Sequence, residues 1–396
     1  MKLSRESFLK KSLAIGGLVS IASLQKILYA FGEKENKQHR ENPIAYAESL
    51  GYTEPIDQIL LTAILAPNSH NSQPWKFQKV SNREFLLYGD GDKQLTEIDP
   101  INRQFYHTQG CFLELCHLTA DSLMFDTTIK LFPNGKPTKN TFSKTPIAKV
   151  SIQPKTKCVH DFLFSGVRQR RMNRSVYTGE LLNQEELEGI QSLGKPFHQT
   201  IQWTNDPMTL NEILPVLDDA FAMETNRYVS NELNRKWFRL TEESMYTNRD
   251  GLTLEGNGLS GIKLWFAKKF FVDLSKESWH SEDSKKAGIE MFRSQVYSSK
   301  ALVFFISEGK DDETTWIQTG RDFMRYSLSC AVKQIAFHTM NQAVEDYPES
   351  RVYTKQLKEI LKLKPNQEIQ LIARLGRSDY QFDSLRRDLK SFLMDK

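Results

Sequence analysis

Little in this chain of 396 residues is extreme, and its shortages set the first limits. Cysteine is scarce: Cys111, Cys116, Cys158 and Cys330 are scattered, with no Cys-x-x-Cys pair and no Cys/His group at metal-ligand spacing. That pattern argues against a disulfide framework or a metal site, and the four read as buried thiols. Charge of one sign is missing too, since 53 basic and 49 acidic residues leave +4. Such a balance creates no field for a polyanion, so nucleic acid is not an expected partner. No apolar run reaches the roughly 18 residues of a membrane-spanning helix. A Gly-rich phosphate loop and a Rossmann fingerprint are also absent. Ser69-His70 lacks both an orienting carboxylate and a glycine elbow, which removes a hydrolase triad. Most of the eight histidines read as neutral surface residues.

What is present is ordinary globular material, 39% hydrophobic and 26% charged, long enough for about two domains because one core stops growing near 250–300 residues. The start is the exception. Lys2, Arg5, Lys10 and Lys11 precede the apolar run Leu13–Leu24, a signal-peptide layout over residues 1–30 with Ala30 as a cleavage point. Ser4-Arg5-Glu6-Ser7-Phe8-Leu9-Lys10 is similar to a twin-arginine export motif with Glu6 at the second arginine. Export to a bacterial envelope or periplasm, with export machinery as a partner and the segment as a possible membrane attachment, is therefore expected. Residues 31–50 read as an unfolded charged linker.

Thr53-Glu54-Pro55 opens a helix whose apolar positions Ile56, Ile59, Leu60, Ala63 and Ile64 run to Pro67. The loop Ala66–Trp75 follows, bounded by two prolines and filled with Asn, Ser and Gln. It is either a self-capping turn or a stiff grip for a polar heterocycle. Trp75–Val80 and Glu84–Tyr88 alternate as a hairpin. Gly110–Phe125 reads as a buried helix and Ile147–Ile152 as a strand. Residues 51–160 form a first half on this reading.

Residues 161–396 repeat the order. Ala301–Ile306 is an apolar strand, Trp316–Phe337 a helix and Glu368–Leu375 a strand, with Gln318-Thr319-Gly320 echoing Thr108-Gln109-Gly110. In that register Leu113 meets Phe323 and Leu118 meets Leu328, which chance or an internal duplication would produce. Between the halves, Arg168, Arg170, Arg171 and Arg174 fall within seven residues, either a solvated basic face or a bidentate phosphate cradle. Asn183 and Glu186 form a capping box for the helix through Leu193. A long segment, residues 226–295, reads as an inserted lid; its stretch Gly261–Phe271 is aromatic and basic enough for a membrane surface as well.

Ala66-Pro67-Asn68-Ser69 followed by Asn71-Ser72-Gln73-Pro74-Trp75-Lys76-Phe77 resembles the nitroreductase flavoprotein family, whose loop reads A-P-S-x-x-N-x-Q-P-W-x-F. Arg170-Arg171-Met172-Asn173-Arg174 is similar to its R-R-S-x-R phosphate segment, with Met172 in place of a hydroxyl. The reversed order of the two motifs resembles the Acg-like branch, in which one chain holds two nitroreductase-like halves. Asp99–Arg103, Met340-Asn341-Gln342 and Leu375-Gly376-Arg377 are also branch-like. The resemblance implies an α+β nitroreductase-like fold, an internal pseudo-dimer working as a monomer, with one FMN site. It implies Arg170, Arg171, Asn173, Arg174 and Arg377 at the phosphate and pyrimidine edge, and Asn68, Ser69, Asn71 and Gln73 on the isoalloxazine side. Backbone amides near Met340, Asn341 and Gln342 would face N5. The chemistry would be borne by the flavin, with no catalytic side chain assigned.

Two functions follow from the resemblance: an FMN oxidoreductase passing hydride from NAD(P)H to a nitroaromatic or quinone-type small molecule, or a lidded protein that sequesters FMN with little turnover.

Overall fold

The computed structural model describes residues 21–156, 161–271 and 273–394. Most of the signal-like segment, including Arg5, and Cys158 lie outside the described residues. Among the described residues no helix is long and apolar enough to cross a membrane.

The expected charged linker is instead helical, α1 (Ile21–Glu41) and α2 (Pro43–Ser49). Tertiary contacts override its composition. His39 Nε2 lies 2.7 Å from Leu61 O, and Arg40 donates to Ser384 O at 2.8 Å. Asn42 caps α2 by accepting from Ala45 N, with Pro43 in the first turn, where its missing N–H costs nothing. Helix α3 (Pro55–Ala63) uses Glu54 as its cap residue, one position after the Thr53 start.

Strands β1 (Trp75–Ser81) and β2 (Glu84–Gly89) form the expected hairpin. After them come α4 (Arg103–Ser122), β3 (Phe125–Leu131) and β4 (Ala148–Pro154). The second half runs α5 (Gln184–Gly194), β5 (Thr200–Thr204) and α6 (Pro207–Asn226). Next are α7 (Tyr228–Trp237), α8 (Glu242–Asn248), α9 (Gly261–Phe266), α10 (Lys276–Trp279) and α11 (Glu282–Val296). Strand β6 (Ala301–Glu308), helix α12 (Glu313–Val332), β7 (Ala336–Thr339), α13 (Arg351–Ile360) and β8 (Gln367–Gly376) complete it. Both sheets are antiparallel and share one order, β1-β2-β4-β3 and β5-β6-β8-β7. The architecture is thus α+β, two sheet-plus-helix halves. The segment between β5 and β6 occupies the place that a tight turn fills between β1 and β2, so the insertion begins at α6, well before residue 226.

Helices α4 and α12 cross at the centre. A Cβ on Gly110 would lie 2.0 Å from Ile317 O, and one on Gly320 would lie 1.9 Å from His107 O. The echoed glycines are therefore the contact itself, backbone against backbone. Both helices end earlier than their apolar runs, and β3 and β7 start inside those runs. The turns are made by Met124 (φ 67°) and Gln334 (φ 57°), left-handed residues without a glycine to announce them, at the same separation in sequence as Gly110 and Gly320. Strand β6 is apolar on both faces because it divides two cores. Val303 and Phe305 join the central one, whereas Leu302, Phe304 and Ile306 pack with Leu210, Ile213 and Phe292.

The C-terminal residues leave the half to which their position assigns them. Leu393 bridges Phe77 in parallel, Met394 N donates to Phe77 O at 2.8 Å, and Phe392 is buried against Trp75 and Phe77.

Candidate functional site

A cavity of about 860 Å³ opens between the halves, lined by the loop after α3, the arginine segment, α4, the insertion, the β7 end and the C-terminal tail. That volume suits a cofactor-sized ligand. Of the residues singled out in sequence, Asn68, Ser69, Asn71, Arg170, Arg171, Arg174, Asn341 and Gln342 line it. Four do not. Gln73 is fully buried as a latch: Nε2 donates to Arg249 O at 2.8 Å, and Oε1 accepts from Arg387 N at 2.9 Å. Asn173 spends its amide on Tyr380 O and its oxygen on Ser175 N. Met340 is core, and its N–H donates to Ile372 O at 2.8 Å in strand-like pairing. Arg377 turns away to pair with Glu186 and to donate to Glu180 O.

The loop is rigid by construction. His70, Asn71 and Gln73 all have φ near +52°, strained for residues with a Cβ. Tertiary bonds hold them there: Gln73 N donates to Asn68 Oδ1 at 2.8 Å, Gln109 Nε2 to Pro74 O at 2.7 Å, and Ser69 Oγ to Gln104 Oε1 at 3.0 Å. His70 Nε2 sits 2.6 Å from Asn234 Oδ1 of the insertion.

Arginines reach the cavity from three places in the chain. Arg170 and Arg171 are joined by Arg40 from α1 and Arg386 from the tail, neither signalled by the family motif; the Arg386-Arg387 pair was the available cue. Arg386 donates to Ile64 O at 2.7 Å, to Leu65 O and Ala66 O at 3.2 Å, and to Asn71 Oδ1 at 2.7 Å. It thereby satisfies the carbonyls of the three residues that follow α3. Among the described residues these four guanidiniums share one carboxylate, Asp383, which pairs with Arg171 and lies 3.5 Å from Arg40 Nε. Burial first, then mutual repulsion, pushes Arg386 down to about 9 and Arg170 to about 10, and lowers Arg40 well below the usual guanidinium range. Arg174, pushed down to about 10 by burial, donates to Gly256 O of the insertion at 3.1 Å. The pocket thus carries excess positive charge that an anion would neutralise.

Among the described residues His39, His107 and His338 are buried, and His70 is half-buried in the cavity wall. Desolvation pushes His39 and His107 to about 3 and His70 to about 4, and lowers His338 further, so these four are neutral as expected, and three of them lie away from the surface. Buried polar atoms without a partner among the described residues sit on several cavity-lining residues: His107 Nδ1, Gln342 Oε1, Asn231 Nδ2 and Glu345 Oε2. Such orphans are costly unless something in the cavity meets them. Among the described residues no group of three potential metal ligands occurs.

No family model matches the chain. A 139-residue stretch is 27% identical to a candidate NAD(P)H nitroreductase of Mycobacterium tuberculosis, seen in strains CDC 1551 and H37Rv and covering 35% of this chain. Among solved structures, the FMN and NADPH-dependent nitroreductase NfnB of Sphigopyxis sp. strain HMH aligns at 12% identity and TM-score 0.36, over 59% of this chain and 98% of its own. The FMN-dependent NfnB of Mycobacterium smegmatis, solved in complex with NADPH, aligns at 11% identity and TM-score 0.36, over 57% and 94%. The match to the curated relatives spans 38% of their own length.

Proposed function

We propose that this chain is an FMN-dependent oxidoreductase, taking electrons from NAD(P)H and passing them to a nitroaromatic or quinone-type acceptor. The observation that carries the reading is the cavity's cluster of four arginines around one carboxylate, three of them buried and Arg171 partly so, beside a rigid loop of Asn and Ser. The names of the curated relatives point the same way.

The residues fit the cofactor. Arg40, Arg170 and Arg171 form a cationic floor for a phosphate monoester, and the excess of guanidinium over carboxylate would be relieved by its charge. Asn68, Ser69 and Asn71 present a stiff polar edge to a planar heterocycle. Arg174 places a cation at the cavity wall, where it would favour a reduced, anionic ring. His338 and His107 stay neutral and add no further charge. Bound FMN supplies the hydride-transfer chemistry. Leu252, Leu254, Leu259 and Phe266 of the insertion cover the cavity with apolar surface and restrict water.

Purified protein should bind added FMN, and its oxidised flavin band should bleach on anaerobic addition of NADH or NADPH and return with a quinone. A protein that stays colourless after FMN addition would overturn the reading. The extent of the insertion's coverage favours a second reading, sequestration: FMN would then bind but the band would persist with both nucleotides.

A further inference from the structure

Two acidic side chains line the cavity on its α6 side, Glu224 and Glu345, which are 6% and 7% exposed. Glu345 Oε1 accepts from Gln104 Nε2 at 3.2 Å, and Gln104 Oε1 in turn accepts from Ser69 Oγ of the loop. Glu224 Oε2 accepts from Tyr347 Oη at 3.2 Å. The remaining Glu345 oxygen, Oε2, is buried without a hydrogen-bond partner among the described residues, and the Glu345 carboxyl interacts with both the Glu224 carboxyl and the Tyr347 hydroxyl. Two buried carboxylates in contact cannot both stay ionised, and one proton between them removes the repulsion and the orphan together.

The cations nearby are committed elsewhere. Arg103 of α4 pairs with Asp346 at 2.8 Å and donates to Val344 O. Arg227, at the start of α7, stacks over the Tyr347 ring and pairs with Glu349. Asp99 accepts from the first N–H groups of α4 and is the other buried carboxyl on that side. From α7, Asn231 is neutral and has an amide donor without a partner. His107, one turn beyond Gln104, is neutral, its Nδ1 also unpartnered. Burial and the Glu224 charge both push the Glu345 carboxyl up, in keeping with this arrangement.

We propose that Glu224 and Glu345 form a proton-sharing carboxyl pair that acts as the internal acid of the cavity, protonating the acceptor as it is reduced. The step rests on the flavin reading for its electrons. A quinone carbonyl pair becomes two hydroxyls by gaining two electrons and one proton from the reduced cofactor and its second proton from the pair. The pair, left doubly charged, is reloaded from solvent.

The test uses the full chain, first without cofactor. Difference infrared spectroscopy of the apoprotein should show a protonated-carboxyl carbonyl band at neutral pH that Glu345→Gln and Glu224→Gln each abolish. In linkage terms the folded state holds a proton that the unfolded state has released. Wild-type stability should therefore fall by one proton's slope as pH rises above the ordinary glutamate range toward the raised folded-state value, and Glu345→Gln should remove that slope. Asp99 titrates alike in both proteins and cancels from the difference. With FMN bound, Glu345→Gln should slow quinone reduction by about 100-fold, the low end of general acid catalysis, and slow reduction of the flavin by NAD(P)H far less. A protein that keeps the band but binds no FMN would overturn the flavin reading and leave the shared proton standing. An apoprotein with no such band, or a Glu345→Gln variant with wild-type quinone kinetics, would overturn the proposal.

Discussion

Arg170 offers a test in which ligand affinity and stability should move in opposite directions. Its guanidinium is 5% exposed and is pushed down from 12.5 to about 10, mainly by burial and then by Arg171. At about 1.4 kcal/mol per tenfold, its charge is disfavoured in the empty pocket by about 3 kcal/mol. Against this stands one hydrogen bond, to Leu65 O at 3.2 Å, and a bond from a charged donor contributes about 1.5 kcal/mol at that length. Arg170→Gln should therefore stabilise the FMN-free protein by about 1–2 kcal/mol. On the proposed FMN reading the same substitution would remove a charged contact to the phosphate, about 1.5–3 kcal/mol, and should weaken FMN binding about 10- to 150-fold. Urea denaturation of the apoprotein and quenching of FMN fluorescence on titration give the two numbers independently. A variant that is less stable without FMN and binds FMN as tightly as wild type would refute the argument from uncompensated charge.

Gly320→Ala should be among the most damaging single-methyl changes, since its Cβ would sit 1.9 Å from a backbone oxygen that no rotamer change can move. A loss of about 3 kcal/mol or more, read as a lowered urea midpoint, is expected; a midpoint equal to wild type would mean the helices are free to separate. Asp99 supplies a pH dependence. Burial raises it from 3.8 to about 7, so the folded state holds its proton longer than the unfolded chain. Its contribution is full below about pH 4 and disappears as pH rises through about 7. Thermal midpoints across that range should fall less in Asp99→Asn than in wild type, and parallel curves would count against the assignment.

The loop and the arginine segment were legible because both are local: proline, amide side chains and clustered arginines carry their chemistry in adjacent residues. Arg40 and Arg386 were not, because they reach the cavity through docking of segments more than 340 residues apart, marked by bonds from Asn36 and Arg40 to Asp383 O and Ser384 O. Glu224 and Glu345 were hidden for the same reason. Gln73 shows the opposite failure. Its position in the motif reads as a ligand, yet its hydrogen bonds go to Arg249 and Arg387, and it serves the site by fixing the loop. In the fold, apolar pattern located the long helices and central strands. It overran their ends because Met124 and Gln334 turn the chain without glycine. Short strands such as Thr200–Thr204 and Ala336–Thr339 lack the length for a pattern to register.

The crossing of α4 over α12 has a consequence for how the protein responds to concentration. Where two separate subunits build a site between them, dilution dissolves the site along with the dimer, and ligand affinity becomes a function of protein concentration. Here both helices belong to one polypeptide, so the local concentration of one half around the other is set by the tether. The pocket should hold its ligand alike at nanomolar and micromolar protein. Each half is also free to change alone: a substitution at Gly110 is not duplicated at Gly320, which lets one side specialise in gripping and the other in covering.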